Sequence, residues 1–189
     1  YQSPGFVYSV GLPAASTAAA LKSLDPDISV VALDNCLVLT DGDTFCHQHR
    51  SGRWYRLKPS NTGSYQNGTW AFDSTMPTGY APLYFASAVL PDGRVIVAGG
   101  EYNCNPTCVA NWQAKAALYD PVTKTWVNVP PPTGWTTIGD AQALVMSNGI
   151  FMLADCCSSK MAYFNPSTLT WTNLVLSKNQ VAANNNEEN

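Results

Sequence analysis

The chain has 189 residues, of which 46% are apolar and only 12% charged, with a formal net charge of −3. That length supports one domain with a real core. The lack of a basic stretch argues against a nucleic-acid partner, and no apolar run is long enough for a membrane-spanning helix.

Thirteen Gly and thirteen Pro interrupt the chain too often for long helices. Residues 1–29 open without the basic start of a signal peptide, and "AASTAAALKS" (14–23) reads as a short Ala-rich helix. Three hairpins follow: "CLVLTDGDTFCHQH" (36–49), "SAVLPDGRVIVAGG" (87–100) and "ALVMSNGIFMLADC" (143–156). Each sets apolar runs on both sides of an Asp-Gly or Asn-Gly turn. The turn glycines, Gly42, Gly93 and Gly149, lie 51 and 56 residues apart.

A second motif trails the hairpins. "YDPVTKTW" (119–126) and "FNPSTLTW" (164–171) share aromatic, Asp/Asn, Pro, x, Thr, x, Thr, Trp, and lie 45 residues apart. A degenerate "SYQNGTW" (64–70) follows the first hairpin. The shorter spacing comes from one long insertion, "EYNCNPTCVANWQAK", where the third unit has only "CSSK". Each unit therefore reads strand, turn, strand, loop, strand, Asx-Pro turn, strand. Residues 84–129 are expected to form one four-stranded antiparallel sheet and 140–176 the next, with no helix longer than two turns in either. Gly99-Gly100 mark a place where backbones approach closely and φ is positive. Gln48-His49 and Asp155-Cys156 stand there in the other two units. The tail "NNNEEN" is polar and reads as disordered.

Four short strands per roughly 50 residues is the period of kelch-type repeats. Through Gly99-Gly100, Tyr119, Trp126, Phe164 and Trp171 the chain resembles kelch repeat proteins. It is similar to the propeller domain of galactose-oxidase-like secreted proteins, over residues 30–176. The resemblance implies an all-β fold of about three four-stranded blades in an incomplete ring. Residues 1–29 would be a short helix or partial blade, and 177–189 a polar tail. Propellers close with roughly four to eight blades. Three imply a fragment of a longer protein, the preferred reading, or copies that self-associate to complete the ring.

In a meander the 1–2 and 3–4 turns lie at one end and the 2–3 and 4–1 loops at the other. The long loops are expected at 46–53, 101–115, 130–140 and 155–160. They carry the ligand-binding candidates Glu101, Tyr102, Trp112, Trp135 and Asp140. Aromatic faces beside carboxylates and amides suit a glycan or a protein ligand. Equally, Trp112 and Trp135 pin their loops to the body. His47 and His49 are the only histidines. At i, i+2 on a strand they would share a face and are candidate Cu or Zn ligands, with Asp155 or Cys46 as a third.

The leading expectation is a secreted module that binds a glycan or protein, or is structural, with no cofactor. The family resemblance implies an alternative, a copper oxidoreductase or part of one. Its two copper histidines, two tyrosines and Tyr–Cys cross-link are not matched here, so no catalytic residue is assigned. Six cysteines with few charges favour an oxidising, extracellular or periplasmic setting. Cys104 and Cys108 are expected to pair. Cys36 and Cys46 lie opposite one another across the first hairpin. Cys156 and Cys157 form a vicinal bridge, or one of them reaches Cys46. Asn67-Gly68-Thr69 fits an N-glycosylation acceptor or, preferably, a plain turn.

Overall fold

The computed structural model describes residues 33–174. The Ala-rich stretch 14–23, the segment 1–29 and the tail 177–189 lie outside the described residues. Within them every regular element is a strand. The chain divides into two compact units, residues through Met76 and residues from Pro77 onward.

The first unit holds one blade: β1 (Leu33–Val38), β2 (Thr44–Gln48), β3 (Arg53–Lys58) and β4 (Thr69–Thr75), paired in that order. The second unit begins with β5 (Pro82–Leu83), β6 (Ala86–Val89) and β7 (Val95–Ala98). It continues with β8 (Tyr102–Cys104), β9 (Cys108–Ala110), β10 (Ala116–Asp120) and β11 (Thr125–Val129). β12 (Gln142–Val145), β13 (Phe151–Ala154), β14 (Met161–Asn165) and β15 (Thr170–Asn173) complete it. Strands β6, β7, β10 and β11 form the second blade, β12 to β15 the third, and β5-β8-β9 a small fourth sheet of three strands. The sheets expected over 84–129 and 140–176 are thus present. Their strand pairs are antiparallel throughout.

The three hairpins share one turn, bond for bond. The amide of Gly42, Gly93 or Gly149 donates to the carbonyl of Leu39, Leu90 or Met146, and that residue's own amide reaches across to Asp43, Arg94 or Ile150. The Asx side chain before the glycine accepts from the residue after it, at 3.0 Å for Asp41, 3.1 Å for Asp92 and 3.1 Å for Asn148. Glycine is required because φ there is +87°, +87° and +82°. The Asx-Pro turns repeat as closely. Asp120 Oδ1 accepts from Val122 N at 2.8 Å and Asn165 Oδ1 from Ser167 N at 2.9 Å. The two threonines of each motif bond through their hydroxyls at 2.7 and 2.6 Å.

One core fills the second unit between the two blades. It joins Leu90, Ile96, Ala98 and Leu118 of the second blade to Phe151, Leu153, Ala162 and Phe164 of the third. "VIVA" on β7 is apolar at every position because all four residues are buried. Trp171 lies against Phe164 at 4.8 Å and donates Nε1–H to Pro130 O at 2.8 Å. The last-strand Trp of the third blade therefore reaches the exit of the second.

Two expected loops differ. Residues 46–53 are not a long loop: Cys46, His47 and Gln48 belong to β2, a tight turn follows with Arg50 at φ +60°, and β3 starts at Arg53. The alternating "RWYRLK" is hydrophobic enough to re-enter the sheet at once. The long connection of this blade lies instead between β3 and β4. The insertion 101–115 is not all loop either, since β8 and β9 form a hairpin there, closed at Cys104↔Cys108.

Candidate functional site

In the second unit, four chain segments converge and are zipped together by main-chain hydrogen bonds. Gly100 N donates to Gly139 O at 2.7 Å, and Gln113 N to Gly100 O at 2.8 Å. Ile138 N donates to Gln113 O at 2.9 Å, and Cys156 N to Ile138 O at 3.2 Å. The 2–3 loops of both blades, the strand returning from the insertion and the link between the blades therefore share one rigid base. The diglycine is at its centre. A Cβ on Gly99 would overlap the Gly139 carbonyl oxygen and stand 2.6 Å from Ile138 Cγ2, and one on Gly100 would stand 2.7 Å from Pro82 Cβ. The buried Tyr80 hydroxyl reaches the carbonyl oxygens of Gly99 and Lys115 at 2.9 and 3.1 Å. Burial pushes that phenol well above its ordinary pKa.

Trp112 stands on this base, 45% exposed. A Cβ on Gly139 would lie 3.6 Å from Trp112 Cγ and 2.6 Å from Cys156 Sγ. The indole and the Cys156–Cys157 vicinal disulfide thus flank Gly139 together. Half-buried Asp140 follows Gly139. Half-buried Glu101 is tied in through its amide to Leu83 O at 2.9 Å, and Asn111 N donates to Glu101 O at 2.8 Å. The main chain at Glu101, Trp112 and Asp140 therefore belongs to this one bonded base. Tyr102 lies on β8, edge-on to Tyr84 with ring centroids 6.0 Å apart.

Trp135 is different. It is only 6% exposed and is part of the interblade core, so it pins its loop and offers no face to a ligand. Among residues the pattern did not single out are Tyr84 and buried Gln113, whose Nε2 donates to Asn111 O at 2.6 Å. Asp155 is buried beside the disulfide. One of its oxygens accepts from Ser158 Oγ, and the other has no partner among the described residues.

His47 and His49 belong to the first unit and converge on a carboxylate not considered as a ligand, Asp34. His47 Nδ1 lies 2.7 Å from Asp34 Oδ1, and His49 Nδ1 2.7 Å from Asp34 Oδ2. The second ring nitrogen of the buried His47 faces Ser51 O at 2.6 Å, to which it donates. Both nitrogens of His47 are therefore engaged, and Cys46 is bonded to Cys36. No group of three or more His, Cys, Asp or Glu among the described residues is arranged to hold a metal ion. All six cysteines are in disulfides, so none is free for a Tyr–Cys cross-link. This donor set does not fit a resident copper ion.

Burial alone would raise the Asp34 carboxyl, but hydrogen bonds and charge from His47, then His49, outweigh it and hold the group below its ordinary 3.8. A depressed carboxylate contributes stability above its unfolded pKa and loses it as pH falls through the folded one. The stability gap between wild type and Asp34→Asn should therefore be fully open above pH 3.8 and close below it. Urea unfolding of both proteins across the acid range measures this. A gap that persists unchanged at the lowest pH refutes it.

The disulfides are Cys36–Cys46, Cys104–Cys108 and Cys156–Cys157. The expected Cys104–Cys108 pair is present, and Cys156 bridges its neighbour and not Cys46. Bridges of this kind are compatible with secretion. No helix among the described residues is long and apolar enough to cross a membrane, which says nothing of β-barrel spans.

No family model matches the chain. A curated relative, the Kelch-like protein terF of Aspergillus terreus, is 28% identical over 120 residues, 57% of this chain and 25% of that protein. A solved fungal alcohol oxidase of the AA5 family, in complex with copper, aligns with 75% of this chain and 29% of its own at 19% identity. Its TM-score of 0.48 is too low to bear on function. The solved structure of YjhT aligns at a TM-score of 0.56 and 17% identity, over 75% of this chain and 50% of that one. The chain thus spans a quarter of the length of terF and half that of YjhT. The repeated turn chemistry and the fold shared with YjhT show four-stranded blades of the kelch-type β-propeller kind, and in sequence the chain is similar to a kelch-like protein.

Proposed function

We propose that the chain is a secreted kelch-type module that binds a glycan through the loop face of its second and third blades, centred on Trp112. The observation that carries this reading is the 45% exposure of that indole on a base held by main-chain bonds. An exposed aromatic ring on a loop adds no core, whereas its flat face suits the apolar side of a pyranose. A rigid scaffold presenting such a ring keeps the ordering cost of binding low. Glu101, whose main chain is bonded to Asn111 beside Trp112, supplies a carboxylate of the kind that accepts hydroxyl donors. The short turns at the opposite end, at Gly93 and Gly149, are too small to build a pocket. The three disulfides favour an oxidising compartment.

Isothermal titration with soluble oligosaccharides tests the reading. Trp112→Ala should weaken binding on the order of tenfold while leaving the melting temperature unchanged. Equal affinity of variant and wild type would move the site elsewhere.

A further inference from the structure

Tyr84 sits where a tyrosine is costly. It follows β5 directly with φ at +53°, in the left-handed region that a bulky side chain rarely adopts. Burial does not repay this strain, because the residue is 54% exposed and its ring meets Tyr102 only edge-on. Strain held at an exposed aromatic residue points to use of the ring and not to packing.

Its position says what that use is. Leu83 pairs with Tyr102 in the β5-β8-β9 sheet, and Leu83 O accepts from Glu101 N. On the other side of β8, Tyr102 pairs with Ala110. The ladder runs on through Asn111 N to Glu101 O and Gln113 N to Gly100 O. Tyr84 and Trp112 therefore leave opposite edges of this three-stranded strip, on the order of 10 Å apart across two interstrand spacings. Glu101 lies between them. Two exposed rings with a carboxylate between them span more than one sugar.

We propose that Tyr84 is the second stacking platform of the site, so that the ligand is an extended oligosaccharide bridging Tyr84 and Trp112 with Glu101 accepting its hydroxyls. This inference rests on the glycan reading above. It predicts that a chain of several sugars binds far better than one sugar alone, because only a chain meets both rings.

The test is isothermal titration of the whole chain with cellohexaose, xylohexaose and chitohexaose and with their monosaccharides. The variants are Tyr84→Gly, Tyr84→Asn, Tyr84→Phe and Trp112→Ala. Gly and Asn tolerate the left-handed backbone, so both should keep or raise the melting temperature while weakening hexaose binding at least tenfold. Tyr84→Phe should bind like wild type. If Trp112→Ala is impaired but Tyr84→Gly and Tyr84→Asn bind the hexaose normally, the second platform is refuted and the glycan reading stands. A sharp fall in melting temperature for both Tyr84 variants would make the ring structural and overturn the inference. If wild type binds none of the hexaoses, the inference and the glycan reading fall together.

Discussion

Gly99→Ala is expected to destabilise the second unit by about 2–5 kcal/mol. The left-handed backbone costs an alanine about 1–2 kcal/mol. Forcing a methyl group into a closed contact adds about 1–3 kcal/mol. At Gly99, φ is +82° and the intruding Cβ meets main chain, the Gly139 carbonyl, which cannot swing aside as a long side chain would. Gly134 supplies the control. Its φ is +77°, but a Cβ there meets nothing within 4 Å, so Gly134→Ala should show only the backbone part, about 1–2 kcal/mol. For a unit of this size the Gly99 variant should melt on the order of 10–25 °C lower than wild type. Circular dichroism melts of the two variants decide it. Equal losses would mean that the close approach of the segments at Gly99 contributes nothing.

Trp135→Ala should cost about 3–5 kcal/mol, the usual loss for a large aromatic residue removed from a core. Trp112→Ala should change stability by no more than about 0.5 kcal/mol, as expected of an exposed side chain. The two tryptophans stand on neighbouring loops and read alike in sequence, so the contrast is informative. Trp135 joins Ile138 and Ala141 in packing between the blades, and its removal would leave a cavity that the paired strands on either side cannot collapse to fill. Denaturant unfolding of both variants gives the answer. A stable Trp135→Ala protein would mean that its loop is held by the main-chain bonds alone.

The blades were legible because their signals are local. The turn at Asp92-Gly93 needs only a side chain that accepts its own backbone and a residue free to take positive φ. "YDPVTKTW" and "FNPSTLTW" encode the same Asx bond and threonine pair. The site was legible only in part. Glu101, Trp112 and Asp140 could be grouped because a meander sends alternate loops to one end. Trp135 could not be separated from Trp112, because burial of a loop residue depends on what the next blade places over it. The histidines suggested a metal pair, since their partner Asp34 lies across the β1–β2 register and no spacing rule points to it. Tyr84 was hidden for another reason. "PLYFASAV" looks like continuous apolar strand, and nothing in it announces a left-handed tyrosine.

The three disulfides close loops of 10, 4 and 1 residues in sequence separation, each inside its own repeat. No cysteine is shared between repeats. A gene segment encoding one such repeat can therefore be duplicated, lost or exchanged without stranding an unpaired thiol in its neighbours. It also means that oxidative folding has no long-range pairing to search for: each bridge can form while its own hairpin is still emerging, before the following repeat has been synthesised.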